Sequence, residues 1–455
     1  MTTGPQLGTY LAELRWSPER LARELNREYG QGTVSPKAPY GWLKGSFPRG
    51  RIPGFVAEVL SGRLGKPVEI GQIWPGRADS GTAADDHIER AWSVESATRS
   101  LRRLTAAPRR LPAESVAPHP GTTLLSVAVD WLTATRQPVP SGREPGGFFR
   151  ELPDVLAERL DQLRRMDDRH GGLPVADWCV HDLRWIVKLL DEGSHDASTG
   201  RQLYLVAAEL AQAGGWLLAD LGRYGESQRH HLAALRAASV AGDREFGAYV
   251  LSCLAYHLTW RGRPRDAVRV LTVARQGVES SPMHELHALL ATRLARGHAG
   301  AGDETACEAA LAEAAERLDE AGPVADRPAW IRWLTPALLA ADAGRAQLEL
   351  GRPRRAEPLL STGLAQLDET QRRNRLLHSL SLAEARLATG ELEGASQAAL
   401  AALPDAAAVD SGRARQRLRL LRQSFARHDS VLARQTADRF DEVTSRPTRR
   451  TPATE

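Results

Sequence analysis

The chain predicts an all-α protein: a small helical head at the N-terminus, then an α-solenoid of stacked helical hairpins. Three observations carry that expectation. Leucine and alanine dominate the 455 residues while aromatic residues make up 5%, a balance that favours helices over sheets. From about 201 to 443, apolar residues recur with helical spacing in one segment after another. Within that stretch one unit returns five times, a turn glycine followed by a short polar step and a phased set of small residues.

Aligned on its glycine, the unit stands at Gly222, Gly262, Gly302, Gly351 and Gly390. Five residues later come Ser227, Ala267, Cys307, Ala356 and Ala395, and four beyond those His231, Leu271, Leu311, Leu360 and Ala399. Ala234, Ala274, Ala314, Gly363 and Ala402 close each copy, and Gly215, Ala255, Ala295, Gly344 and Ala383 precede each glycine by seven. Glycine accepts the backbone conformation that ends one helix and turns into the next. Small residues on both helices let the axes approach, and leucine or a ring fills the groove towards the next pair. The pattern resembles the tetratricopeptide repeat. Its glycines are 40, 40, 49 and 39 residues apart against about 34 in that family, so helices or connecting loops are longer here. One hairpin cannot bury its own apolar face; stacking supplies the core and leaves a curved inner surface suited to a peptide, a small molecule or a partner protein.

Residues 1–76 read as a helix-turn-helix DNA-binding-like domain. In "SPERLARELN", Ser17 caps a helix that Pro18 opens, with Leu21, Ala22 and Leu25 facing inward. "SPKAPYGWLKG" repeats the device, with Ser35 as cap, Pro36 opening, Trp42 and Leu43 as anchors and Gly45 as stop. The run Trp42, Gly45, Pro48 resembles the W-x-x-G-x-x-P of lambda-repressor-like (Xre-type) regulators, in which a second helix docks in the major groove. The link from about 26 to 35 is longer than the tight turn of that family, and Gly41 inside the second helix costs about 1 kcal/mol of helicity. The resemblance implies base-edge contacts from Lys37, Tyr40 and Lys44 and phosphate contacts from Arg49, Arg51, Arg63 and Lys66. It also implies a homodimer, since one short recognition helix reads few base pairs. Charge agrees: residues 1–76 hold ten Lys/Arg against six Asp/Glu, which is the whole +4 of the chain.

Between head and repeats, residues 77–122 read as a linker with one helix, spaced through Ile88, Trp92, Leu101 and Leu104 and expected to dock on the body. Residues 123–200 read as a helical connecting region, with helices near 149–168 and 176–191. The repeat domain spans 201–443, and 444–455 reads as a disordered tail.

Catalytic and metal chemistry find little support. Cys179, Cys253 and Cys307 are far apart, with no CxxC pair. Asp167, Asp168 and His170 end a helix before Gly171 and Gly172, and with Asp177, His181 and Asp182 they read as capping and solvated charge. His284 and His287 are three apart, not the four of a zincin. No phosphate loop or nucleophile elbow occurs, so the expectation is a non-enzyme with no cofactor, metal or catalytic residue. The start of the chain lacks a signal-peptide pattern and no apolar run spans a membrane, so a cytoplasmic protein is expected.

The succession "PKAPYGWLKG", "VAEVLSGRLGKPV", "LRRMDDRHGG" and "AELAQAGGWLLADLGRYGESQRHHLAALRAASVAGD" is similar to streptomycete regulators of sporulation and antibiotic production, over most of residues 7–440. The arginine-rich, lysine-poor composition fits such an actinomycete source. That resemblance implies a transcriptional regulator, often a repressor, whose repeats receive a peptide, small-molecule or protein ligand. The alternative is a scaffold that sequesters a partner protein and does not bind DNA.

Overall fold

The computed structural model describes residues 6–29, 33–48, 52–64, 68, 70–75, 92–106, 116–135, 138–139, 147–193 and 195–444. The head is built from α1 (Leu7–Glu13), α2 (Pro18–Tyr29), α3 (Ala38–Leu43), α4 (Ile52–Leu64) and α5 (Ile70–Ile73). Leu7, Leu21, Leu25, Val56, Leu60 and Ile73 are fully enclosed at its centre. The Gln6 N–H donates to the Ile73 carbonyl at 2.7 Å, joining the two ends of the head. Ser17 Oγ accepts from the Arg20 N–H at 3.2 Å and Pro18 opens α2. Ser35 behaves differently from its expected role. Its hydroxyl accepts from the Lys37 N–H at 3.2 Å in a local turn, and α3 starts three residues later at Ala38. The long link before it is pinned by Asn26, whose side chain exchanges two 2.8 Å hydrogen bonds with the Val34 backbone.

Next come α6 (Val94–Ala106), α7 (Gly121–Thr133), α8 (Gly147–His170) and α9 (Leu173–Glu192). Helix α6 packs on α9; the expected helix at 88–104 thus begins, within the described residues, at Val94. Five hairpins follow in order. They are α10 (Ala197–Asp220) with α11 (Tyr224–Ala241), α12 (Arg244–Trp260) with α13 (Pro264–Gly277), and α14 (His284–Ala301) with α15 (Glu304–Asp319). The last two are α16 (Pro336–Glu349) with α17 (Pro353–Gln366), and α18 (Arg372–Thr389) with α19 (Leu392–Ala401). Because α10 begins at Ala197, a repeat boundary at 201 falls inside that helix, just past its first turn. Helices α20 (Leu403–Ala408), α21 (Gly412–Phe425) and α22 (Val431–Thr444) finish the described chain. Each helix of the array packs on its sequence neighbours, α6 lies also on α11, and α7 lies on α13. This is an all-helical, hairpin-on-hairpin solenoid. Among the described residues there is no strand, only an isolated bridge between Gly171 and Asp410, and no helix is long and apolar enough to cross a membrane.

The hairpin bends share one geometry. Gly222, Gly262, Gly302, Gly351 and Gly390 have φ of +83°, +75°, +78°, +73° and +86°. At each bend the residue after glycine donates its N–H to a carbonyl five back, Arg223 to Leu218 at 2.8 Å and Glu391 to Arg386 at 2.9 Å among them. This Schellman arrangement satisfies carbonyls that a helix end leaves open. Close helix approach is seen at Gly344, where a Cβ would sit 2.7 Å from Leu360 Cγ and 2.9 Å from the Ala356 carbonyl oxygen. The 49-residue spacing resolves into a loop at 320–335 with one 3-10 turn, Val324–Asp326. Arg327 folds that loop, donating to the carbonyls of Gly322 and Leu334 at 3.0 Å each.

The array does not remain open-ended. Helix α8 touches α18, and the Asp410 N–H donates to the His170 carbonyl at 3.0 Å. The start and the finish of the solenoid therefore meet, and the hairpins curve into a ring.

Candidate functional site

Two regions are candidates for a functional site, the exposed residues around α3 of the head and the interior of the ring. On the head, Lys37, Tyr40 and Lys44 are exposed along α3 and its two ends, while Trp42 is buried as their anchor. Two of the expected DNA contacts already hold acids of the head. The Tyr40 hydroxyl donates to the Glu19 carboxylate, which raises its pKa, and Arg63 bonds Glu24 at 2.7 Å. Arg49, Arg51 and Lys66 lie outside the described residues. The head rests on the second hairpin through Arg263, whose guanidinium reaches Glu28 and Asp266 at 3.2 Å each.

The hairpins line a half-open chamber of about 460 Å³. Its wall follows the repeat. The residue six before each bend glycine is Trp216, Tyr256, Arg296 or Arg345 in the first four hairpins, and all four line the chamber. In the fifth it is Glu384, which accepts from Arg345 at 2.7 Å and Arg417 at 2.9 Å. Three residues earlier in the first four hairpins stand Ala213, Cys253, Arg293 and Asp342, also on the wall. The loop at 320–335 adds Trp330 and Trp333. The inner helices thus present one face to a common space, as the 3.6-residue period dictates for positions three apart.

Where the ring's ends meet, the contact is ionic and buried. Asp220, 1% exposed, accepts from Arg413 Nε at 2.5 Å and Ser411 Oγ at 2.9 Å, and lies 3.5 Å from Arg373 Nε. Arg373 also binds Asp167, through its carboxylate at 3.0 Å and its carbonyl at 2.8 Å. Arg413 continues to the Tyr256 hydroxyl at 2.8 Å and stands over the Trp216 ring at 4.9 Å. Burial opposes ionisation of Asp220, but Arg413 and Arg373 outweigh it and hold the carboxyl below its ordinary range. Asp168, partly buried beside Asp167, is pushed up to about 6 by burial and by that neighbour. Asp167 and Asp168 are therefore neither solvated nor helix caps, as the sequence suggested; they belong to the chamber wall and its ionic closure.

The remaining polar candidates stay apart from this site. Asp182 is buried and holds Arg159 and His181, the latter at 3.1 Å, while Asp177 is exposed. His284 faces Glu320 at 2.9 Å and His287 the Ser281 carbonyl at 3.0 Å, so the two do not converge. Among the described residues no three His, Cys, Asp or Glu side chains are grouped to hold a metal ion.

The head has a known counterpart. Residues 7–73 match the SP15 N-terminal domain family. No curated protein matches the chain significantly. The SP15-like head thus accounts for the five helices α1 to α5 and stops short of the ring.

Sequence reasoning missed the chamber wall. Arg293, Arg296, Arg373, Arg413 and Arg417 are buried or nearly so, and buried arginines are rare unless paired. Arg293 and Arg296 leave a trace, since they stand nine and six residues before Gly302, where a plain core would place leucine; Arg373, Arg413 and Arg417 stand at neither offset.

Proposed function

We propose that this chain is a ligand-responsive, DNA-binding transcriptional regulator whose ring receives the signal and whose head reads double-stranded DNA. The observation that carries it is the division of labour along the chain. The basic excess is confined to the head, whereas the hairpins line a half-open chamber walled by paired charges and aromatic rings. Supporting the DNA side are Lys37 and Lys44, exposed at the two ends of α3, in a segment whose Trp42, Gly45, Pro48 run resembles lambda-repressor-like regulators. Their role is to meet base edges, with Arg49, Arg51, Arg63 and Lys66 on phosphates; Arg63 then exchanges Glu24 for phosphate. The similarity to streptomycete regulators supports repression of sporulation or antibiotic production by a cytoplasmic homodimer. The reading is non-enzymatic, with no metal or cofactor.

Signalling follows from the contact at Arg263, which sits at the bend between α12 and α13 and touches Glu28 of the head. A ligand that binds one curvature of the ring better than another shifts that bend, and with it the position of the head. Differential affinity is required; a ligand indifferent to curvature changes nothing.

Selection of fragments from sheared genomic DNA by the full-length protein tests the reading. The expected result is retention of a few discrete fragments, weakening steeply with salt, and lost when Lys37 and Lys44 are both changed to glutamate. Absence of any retained fragment at low salt would reject it in favour of a partner-sequestering scaffold.

A further inference from the structure

The chamber holds one guanidinium that its own carboxylates do not satisfy. Arg293, 6% exposed, has its nearest carboxylate oxygen at 3.9 Å on Asp342, and the other oxygen of Asp342 accepts from Arg296 at 3.3 Å. Its Nε has no hydrogen-bond partner. The group lies over the Tyr256 ring at 4.3 Å, with Trp333 at 5.5 Å. Arg296 and Arg345 both hold Glu349, and Arg345 and Arg417 share Glu384. Four guanidinium groups therefore divide three carboxylates. Burial, more than the nearby Arg345, pushes the Arg417 pKa down to about 10. His378 lines the same wall, 7% exposed, with no partner for Nδ1. Burial holds that imidazole neutral, at about 4.

A buried guanidinium whose Nε is unbonded and whose nearest carboxylate stands 3.9 Å away, and a buried ring nitrogen without a hydrogen bond, each carry a desolvation cost. An anion on Arg293 removes that cost and balances the cluster. The rest of the wall describes the body of the ligand. Trp330 and Trp333 come from the one loop that exceeds the repeat spacing, and the Tyr249 ring lies tilted against Trp330 with centroids 4.8 Å apart. A chamber of about 460 Å³ lies in the range of small-molecule sites, roughly 300–1,000 Å³. The joined ends of the ring favour such a guest over a long peptide laid along an open groove.

We infer that the chamber binds a small organic acid, its anionic group on Arg293 and its ring-sized apolar body against Trp330 and Trp333. This names the signal class for the regulator proposed above and rests on that reading for its biological role.

Titrating the full-length chain with 8-anilino-1-naphthalenesulfonate and with the neutral N-phenyl-1-naphthylamine tests it without DNA. The two probes share a body and differ in the anionic group. The sulfonate is expected to saturate at one per chain and to bind at least tenfold more tightly than the amine. Arg293→Gln should weaken the sulfonate at least tenfold and leave the amine within twofold, Arg293→Lys should fall between, and Arg434→Gln on exposed α22 should change neither. Equal affinity for the two probes, or failure of the sulfonate to saturate, overturns the inference in the unaltered protein, whatever the variants do to folding. An unchanged sulfonate affinity in a folded Arg293→Gln protein overturns it as well. A chain that retains DNA but does not prefer the anion loses only the ligand class. One that prefers the anion but ignores DNA loses only the regulator.

Discussion

His230, His231 and His378 are each buried and each held at about 4, with burial the principal cause. Their unfolded-state pKa is near 6.5, so the unfolded chain takes up protons before the folded one does. The stability they permit is complete above about 6.5 and is lost as pH falls from there towards 4, at about 2 kcal/mol per imidazole by pH 5. Asp168 acts in the opposite sense. Its folded pKa of about 6 lies above the usual carboxylate value, so the folded state gains as pH drops through 6, by about 1 kcal/mol at pH 5. Urea unfolding from pH 8 to pH 5 should therefore show a falling midpoint. His378→Gln should flatten the fall and Asp168→Asn should steepen it. A midpoint that stays level across this range, or a slope that both variants alter in the same direction, contradicts the assignment.

At the scale of the helical hairpin, two kinds of glycine do different work. Gly351 has φ of +73° and open space where a Cβ would be, whereas Gly344 would drive its Cβ into Leu360 and the Ala356 carbonyl. Gly351→Ala should then cost about 1 kcal/mol, a backbone cost alone, and Gly344→Ala about 3 kcal/mol, since a packed helix pair must separate. Thermal unfolding of the two variants measures the difference; equal losses would mean that the helices are not held apart by side-chain volume. These elements were legible from sequence because a helix end and a close approach each demand a residue type at a fixed offset. Ser35 was misread for the reason that the same hydroxyl caps a helix or a turn equally well. Pro36 could not decide between them, since Pro39 fits the first turn of α3 as readily.

Across the whole molecule, the decisive contacts join residues about 200 positions apart. Asp167 and Asp220 meet Arg373 and Arg413, and nothing in the local pattern of a polar helix end announces a partner so distant. The ring and its chamber were invisible for that reason, although Trp216, Tyr256, Arg296 and Arg345 stood at one regular offset from their bend glycines. Arg373→Ala leaves Asp167 without its guanidinium and Asp220 with one instead of two. It should cost about 3–5 kcal/mol, the penalty for stranding a buried charge. It should also enlarge the radius of gyration in small-angle scattering, with helix content by circular dichroism retained. An unchanged radius would show that apolar packing alone keeps the ends together.

A chain of stacked hairpins with free termini frays from either side, because its outermost units have one neighbour instead of two. With Asp220 at the bend of the first hairpin tied to Arg373 in the fifth and to Arg413 beyond it, those two hairpins brace each other across the ring. Amide exchange in α10 and α18 should accordingly be as slow as in α14, and the five units should melt together.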